Sequence, residues 1–410
     1  MNRKQLILLL VALAVFGGAW LMMRNRNQQS WEPSGTRLGQ KVLPDFQMNN
    51  VAAIHIKGDG ELDLAKKNDK WRVSQRNDYP ANFSGISDLL IKMEGLKIAQ
   101  AEPIGPSQLG RMHLAEPGAG PEAAALVEFK DERGKVLQSL LLGKTHTRQS
   151  GRPSPMSFGN GEMPDGRFVM LKSNPGEVLT VSDPLDSVDP KPATWLNKDF
   201  FKVEKPQSIS FVSTIASNSW TLTRAAESSP WVLSDIKPGE VLDSNKVSSL
   251  ASTLGYPSFV DVATNAVLDK PLLVTITTFD HFAYTLKIGS KTAANDYNMT
   301  VAVSADFPKE RVAGKDEKPD DKKKLDKEFS DKLKLMEDKL KQEAALDHWT
   351  YLVNNWLIDP LIRDRAQLMV DKNAGKKGGK PSTDASTEPA SSDDKPDAGM
   401  PASPLDTNGQ

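Results

Sequence analysis

The pattern of apolar and polar residues opens with one continuous apolar segment near the N-terminus. Residues 6–23 read LILLLVALAVFGGAWLMM and carry no charge. At about 1.5 Å per residue, such a helix is about 27 Å long, close to the thickness of a bilayer's hydrocarbon core. Basic residues flank the segment, including Arg3 and Arg24. The pattern predicts a transmembrane anchor that contacts the lipid bilayer, preceded by a cytoplasmic stub at 1–5.

A cleaved signal peptide is the alternative, with Gly17-Gly18-Ala19 as a small-residue cleavage site. Because the apolar residues continue from Trp20 to Met23, an uncleaved anchor is favoured. Positive charge is nearly level on the two flanks, but a short basic stub before a signal-like segment most often stays in the cytoplasm. The body is therefore predicted to lie in the periplasm, held at the inner membrane.

After a polar tether at 24–45, the chain shows the same succession of short alternating segments twice. The predicted strands of the first copy are 51–57, 61–66, 71–74, 123–130, 140–143 and 167–171. Those of the second copy are 208–212, 220–224, 231–234, 272–279, 286–289 and 349–353. The fold class predicted is α+β, with two tandem related modules of antiparallel strands plus a helix, at 46–202 and 203–372.

Each copy also predicts a helix that begins at a short polar N-cap residue, Asn82 or Asp243. Apolar residues follow each cap at offsets of four, seven and eleven, the spacing of one buried helical face. These residues are Ile86, Leu89 and Met93 in the first copy, and Val247, Leu250 and Leu254 in the second. Further on, Asp183-Pro184-Leu185 and Asp359-Pro360-Leu361 are each predicted to start a short helix.

Two segments break the repeat. Residues 144–166 are rich in Gly, Pro and Ser and are predicted to form a long loop, whereas 315–346 form a charged helical insert. An apolar stripe with coiled-coil-like spacing runs through the insert at Leu325, Phe329, Leu333, Met336 and Leu340. The insert is predicted either to pack on its own module, which is preferred, or to dock on a partner. Residues 373–410 contain almost no large apolar side chain and are predicted to be disordered.

Composition limits the possible functions. The 410 residues include 52 basic and 53 acidic side chains, a balance that argues against nucleic acid as a partner. Cysteine is absent, which excludes disulfides, a lipoprotein anchor, thiolate catalysis and thiolate metal sites.

No catalytic, cofactor-binding or metal-binding residue is predicted. The five histidines, His55, His113, His146, His281 and His348, lack a histidine three or four positions away, so each is interpreted as structural or exposed. Neither Gly159-Asn160-Gly161 nor the glycines and lysines of 375–380 have the spacing of a nucleotide loop. The aspartates 183, 186 and 189 are interpreted as helix caps and not as calcium ligands. The tryptophans at 71 and 231 are predicted to belong to the module cores.

These packing motifs resemble a bacterial family, the "domain of unknown function" family numbered forty-three forty. The residues that carry the resemblance are Ile54-His55-Ile56, Trp71-Arg72-Val73, Asn82, Ile86, Leu89, Met93 and 140–143, with their second copies at 209–211, 231–233, 243, 247, 250, 254 and 286–289. The resemblance covers about 46–370 and implies an extracytoplasmic accessory component, often encoded beside gliding-motility-type ABC transporters. It supplies no catalytic residues.

The leading functional hypothesis is a non-enzymatic, membrane-anchored partner-binding protein of an ABC-type transport or envelope complex. The alternatives are a periplasmic glycan- or peptide-binding protein with a groove between the modules, and an enzyme whose carboxylates come together only in the fold.

Overall fold

Alternating residues build two antiparallel sheets in the computed structural model, which describes residues 37–149, 162–313 and 317–370. The α+β class and the antiparallel pairing are therefore confirmed. The predicted anchor at 6–23, the stub and the tail at 373–410 lie outside the described residues. Within the described ranges, no helix combines the length and apolar character needed to cross a membrane.

Sheet one comprises, among the described residues, nine strands in the order β4-β3-β2-β1-β6-β7-β8-β9-β5. The strands are β1 (Ala53–Lys57), β2 (Glu61–Lys67), β3 (Lys70–Val73), β4 (Tyr79–Pro80), β5 (Ile98–Pro103), β6 (Ala125–Lys130), β7 (Val136–Gln149), β8 (Glu162–Leu171) and β9 (Glu177–Val181).

Sheet two comprises, within the same described ranges, eight strands in the order β12-β11-β10-β14-β15-β16-β17-β13. The strands are β10 (Pro206–Val212), β11 (Trp220–Thr223), β12 (Val232–Leu233), β13 (Asp261–Ala263), β14 (Leu272–Thr278), β15 (Phe282–Lys291), β16 (Tyr297–Ala305) and β17 (Thr350–Val353).

Apart from the extra edge strand β4, the two sheets share one strand order. Strands β10 to β12 take the places of β1 to β3, β13 that of β5, and β14 to β17 those of β6 to β9. The register agrees as well, as shown by the paired rows Ile54-Leu64-Val73 and Ile209-Leu222-Leu233. Trp71 and Trp231 each lie two residues before the last member of their row.

The strand order corrects three details of the sequence prediction. Strand β16 was not predicted, although Tyr297, Met299 and Val301 alternate with polar residues along it. In the strand order, the segment 349–353 therefore takes the place of β9, and not that of the strand predicted at 167–171. The predicted loop at 144–166 is shorter than expected, because β7 and β8 continue as a bulged ladder to the pair Gln149 and Glu162.

The helices confirm the predicted caps and apolar faces. Helix α1 (Phe83–Gly95) begins after Asn82, whose side chain accepts a 3.2 Å hydrogen bond from the Gly85 amide. Helix α2 (Ser244–Thr253) begins after Asp243, which accepts from the amides of Asn245 and Lys246. Buried faces of both helices pack into the core, through Ile86, Leu89, Leu90 and Met93 in α1 and through Val247 and Leu250 in α2.

The Asp243 cap gives a first prediction. We expect Asp243→Ala to lower the free energy of unfolding by about 1 kcal/mol, because two amides of the first turn lose their acceptor. Asp243→Asn is the matched control and should retain most of the stability, since asparagine caps about as well as aspartate. Urea unfolding followed by circular dichroism measures both variants; equal losses would show that the charge of Asp243, and not its capping geometry, provides the stabilisation.

The remaining helices lie late in the chain or are single turns. Helix α3 (Pro319–Ala344) forms the charged insert, and helix α4 (Asn355–Ile358) precedes Asp359. The other turns are 3-10 helices at Met48–Asn50, Ser74–Arg76, Pro106–Met112, Pro192–Trp195, Ala216–Asn218, Ala345–His348 and Arg365–Leu368. The predictions of helices that start at Asp183 and Asp359 are wrong. Leu185 has a φ of 52°, which is not helical, and Asp359 ends α4 instead of starting a helix.

One hydrophobic cluster extends through both sheets. At the junction, the Tyr79 ring lies 5.8 Å from Phe259 and 6.1 Å from Tyr351, so aromatic side chains from either sheet pack edge to face. The guanidinium of Arg76 adds two 2.7 Å hydrogen bonds to the Asp261 carboxylate. The two sheets are therefore joined by packed rings and a bidentate ion pair.

Sheet one has a second, smaller cluster on its opposite face. Leu141, Met170 and Val178 alternate with residues of the main core and are covered by Leu114 and Ala124. The covering residues come from the connection between β5 and β6, which runs from 104 to 124. The matching connection of sheet two runs only from 264 to 271 and is too short to cover a face in the same way.

Candidate partner-binding surface on helix α3

Helix α3 lies in the connection between β16 and β17. The matching connection of sheet one, between β8 and β9, is the short turn 172–176. Sheet two therefore carries a 26-residue helix where the shared strand order requires only a turn. The glycine-rich segment 144–166 is not its counterpart, because it joins β7 to β8, which match β15 and β16.

The C-terminal half of α3 packs on sheet two. Met336 and Leu340 contact the main core, and Glu343 is only 7% exposed. The Glu343 carboxylate accepts a 2.8 Å bond from the Tyr284 hydroxyl and a 2.9 Å bond from the Lys202 amide. Packing on its own sheet, the preferred interpretation of the stripe, is thus found for this half of the helix.

Ion pairs hold the middle of α3 over a cleft. Lys332 donates a 2.8 Å bond to Asp280, and Lys339 donates a 3.1 Å bond to Glu204. Phe282 and Tyr284 form the floor of the cleft, which has a volume of about 180 Å³. Lys332 thus contacts the sheet, while Glu328 lies 3.8 Å from Lys324 within the helix.

The electrostatics of the cleft separate a buried acid from its charged rim. Burial raises the pKa of Glu343, and the hydrogen bonds from Lys202 and Tyr284 only partly oppose this rise. Burial and the neighbouring Glu343 raise the pKa of the Tyr284 hydroxyl. For Asp280, burial opposes ionisation, but hydrogen bonds from Lys332 and Lys205 outweigh it and lower the pKa.

These polar groups form hydrogen bonds with one another and with the backbone. Their role here is to attach α3 to sheet two. Glu343 is not among the residues predicted to be functional. It lies three residues after Leu340, on the same side of the helix as the apolar stripe. An acid at such a position indicates a buried polar contact, which is the signal that would have located this attachment point.

Two leucines of α3 keep accessible side chains. Leu335, at the rim of the cleft, is 71% exposed, and Leu325 is 37% exposed. Along its whole length, the helix carries eight lysines and eight acidic residues. Such a surface offers a few apolar side chains within a balanced charged rim, a composition suited to contact with another protein.

The histidines are found in separate places. His55 lies on β1, 2.7 Å from Asp63, and His146 lies on β7, 2.5 Å from Asp165. His113 and His281 have φ values of 54° and 66° in turns, and the ring of His348 packs edge-on against Trp349. Among the described residues, the group with metal-ligand spacing is His55 with Glu61 and Asp63.

Other residues singled out from the sequence have structural roles. Trp71 is buried, whereas Trp231 is half-buried beneath the guanidinium of Arg224, 4.8 Å from the ring centre. Asp183 and Asp189 accept hydrogen bonds from the amides of Leu185 and Lys191, two positions along the chain. They therefore stabilise turns, not the helices that had been expected.

The comparisons with known proteins identify a family for part of the chain. No curated protein and no solved structure matches the chain. Residues 71–273 match the family model described as "Domain of unknown function (DUF4340)". This match runs from β3 into β14 and is shorter than the 46–370 region over which the resemblance was traced. The family matched by residues 71–273 is the one that the packing motifs of the sequence resemble.

Proposed function

We propose that the chain is a non-enzymatic, membrane-anchored extracytoplasmic accessory protein that binds a protein partner in an ABC-type transport or envelope complex. The surplus helix carries this proposal. Helix α3 is attached firmly at its C-terminal half, yet the shared strand order needs only a short turn at this place. Because long additions to a surface connection cost little closure entropy, such a helix can serve a purpose other than completing the sheet.

The exposed residues of α3 support a protein partner. Leu335 offers an apolar anchor, and the balanced charges around it can pair with a charged protein rim without favouring an anionic polymer. The predicted anchor at 6–23 would hold this surface beside a membrane complex. Membrane tethering raises the effective concentration, so that a weak interface is sufficient.

The alternative of a glycan- or peptide-binding groove between the modules has less support. Tyr79, Phe259 and Tyr351 pack together at that junction. Their rings fill space that a groove would require. We therefore place binding on α3.

Photo-crosslinking of the full chain tests the proposal. With a benzophenone amino acid at Leu335, irradiation of native membranes should yield an adduct that mass spectrometry identifies as a subunit of an ABC-type transporter. The matched control is the same amino acid at Val267, which is 86% exposed in the connection before β14. Adduct from position 335 should exceed that from position 267 by about tenfold or more, because a specific interface contacts only one site.

A competing variant sharpens the test. Leu335→Glu places a charge at the solvent-exposed rim of the cleft, where it should leave folding intact but reduce recovery of the same subunit. Equal adducts from positions 335 and 267, or an adduct only with proteins outside transport complexes, would contradict the proposal.

A further inference from the structure

The hairpin of β1 and β2 places three potential metal ligands on one face. His55 lies directly opposite Asp63, and Glu61 precedes Asp63 by two residues on the same strand. Because strand side chains alternate between faces, all three project from the same side of sheet one. Their ligand atoms lie within 4.8 Å of one another.

The carboxylate of Asp63 fixes the orientation of the His55 ring. Asp63 accepts at 2.7 Å from Nδ1, and its other oxygen accepts at 2.8 Å from the Gln75 amide. The Asp63 backbone amide donates to the side-chain oxygen Oε1 of Gln75 at 2.9 Å, which fixes the Gln75 side chain in turn. Since an ionised carboxylate only accepts, the proton lies on Nδ1 and the lone pair on Nε2.

The free nitrogen faces the second carboxylate. His55 Nε2 lies 3.9 Å from Glu61 Oε1. Two ligand atoms that share one tetrahedral metal ion at bonds of about 2.0–2.2 Å lie about 3.3–3.6 Å apart. Glu61 has a 57% exposed side chain, so it can close this difference by a small rotation, whereas His55 is 15% exposed and held by Asp63.

We propose that His55 and Glu61 bind a divalent transition-metal ion of the zinc class, with Asp63 as the residue that orients the imidazole. Imidazole with a carboxylate suits such ions better than magnesium or calcium, which prefer all-oxygen sites. The carboxylate–histidine–metal arrangement is common in metal sites. Water completes the coordination, so the site is open. This proposal is independent of the partner-binding function of α3.

Lys57 lies directly opposite Glu61 in the ladder, so its positive charge disfavours a cation at that carboxylate. Removal of its charge should therefore tighten metal binding. If surface carboxylates alone bound the metal, its affinity would not depend on residues 55, 57, 61 and 63 in this combination.

Titration calorimetry with Zn²⁺ on the full chain in detergent is the test. Wild-type protein should bind one equivalent. His55→Gln and Glu61→Gln should each weaken binding by at least about tenfold, and Asp63→Asn by about 10–100-fold through the loss of ring orientation. Lys57→Gln should bind more tightly. His146→Gln is the matched control, because His146 also contacts a carboxylate but belongs to no three-ligand group in the described part of the chain.

Thermal unfolding without metal establishes that each variant is folded, and a Zn²⁺-dependent rise in Tm should be present in wild type and absent in Glu61→Gln. Unchanged Zn²⁺ affinity in His55→Gln would overturn the proposal. Loss of binding in His146→Gln alone, or the absence of saturable binding to the wild type, would overturn it as well.

Discussion

Replacement of Tyr351 by alanine is expected to lower the free energy of unfolding by about 3–5 kcal/mol, the largest effect of any variant considered for this protein. Tyr351 is completely buried at the junction of the sheets. Its ring lies 4.8 Å from Phe200 and 5.0 Å from Phe259. Truncation therefore removes buried apolar contacts and leaves a cavity between elements that cannot easily collapse.

Tyr351→Phe separates the ring from its hydroxyl. The hydroxyl donates a 3.1 Å bond to the Leu346 carbonyl oxygen, and its loss should cost about 1 kcal/mol. Equal losses in the alanine and phenylalanine variants would show that packing of the ring contributes nothing.

The continuity of the core can be tested through the cooperativity of unfolding. Because the core is continuous across both sheets, wild-type protein should unfold in one transition, whether the observed signal comes from sheet one or sheet two. Two single-tryptophan proteins can test this in guanidinium chloride. One keeps only Trp71, in sheet one, and the other keeps only Trp220, in sheet two, and the fluorescence of each is followed. Two separated midpoints would show that the sheets unfold independently.

Glu343→Ala is expected to destabilise the fold by about 1–3 kcal/mol, because the Lys202 amide loses its buried acceptor. The Tyr284 hydroxyl retains a 3.1 Å contact with the Lys202 carbonyl oxygen. Glu343→Gln is the matched control, since the carboxamide keeps the shape and one acceptor oxygen. It should cost less than alanine.

The pH dependence of these variants has a defined sign. Burial raises the folded-state pKa of Glu343 above its ordinary value of 4.5, so the folded protein holds this proton more tightly than the unfolded chain. Its contribution to stability is complete below pH 4.5 and is lost as pH rises through the raised pKa. Relative to Glu343→Gln, wild type should therefore lose stability across that window. A difference between the two proteins that is constant with pH, measured by urea unfolding, would contradict a raised pKa.

Local patterns predicted the parts of the fold that local forces determine. The N-caps Asn82 and Asp243 and the buried faces behind them could be found from spacing alone, because a helix places its polar start and apolar face at fixed offsets. Most strands were located in the same way. That the two sheets share one strand order could be expected only from the repeat in the sequence.

Non-local packing explains what the sequence did not reveal. Nothing in 104–124 indicates that Leu114 covers the outer face of sheet one, since the partners lie on three later strands. The attachment of α3 depended on Glu343 meeting Tyr284, 59 residues earlier in the chain. His55 was interpreted as structural because its carboxylate neighbours lie across a hairpin, and local spacing reveals only histidines three or four positions apart on one element.

The shared strand order has a consequence for the order of folding. Strand β5 forms its ladder with β9, and β13 forms its ladder with β17, although many residues separate the two members of each pair. As the chain emerges in sequence order, β5 must wait without its partner until Val181 is available, and β13 must wait until Leu352. Long-range closure of this kind slows folding and leaves an unpaired strand open to wrong partners. A chaperone requirement during biogenesis would therefore be set by these two waiting strands.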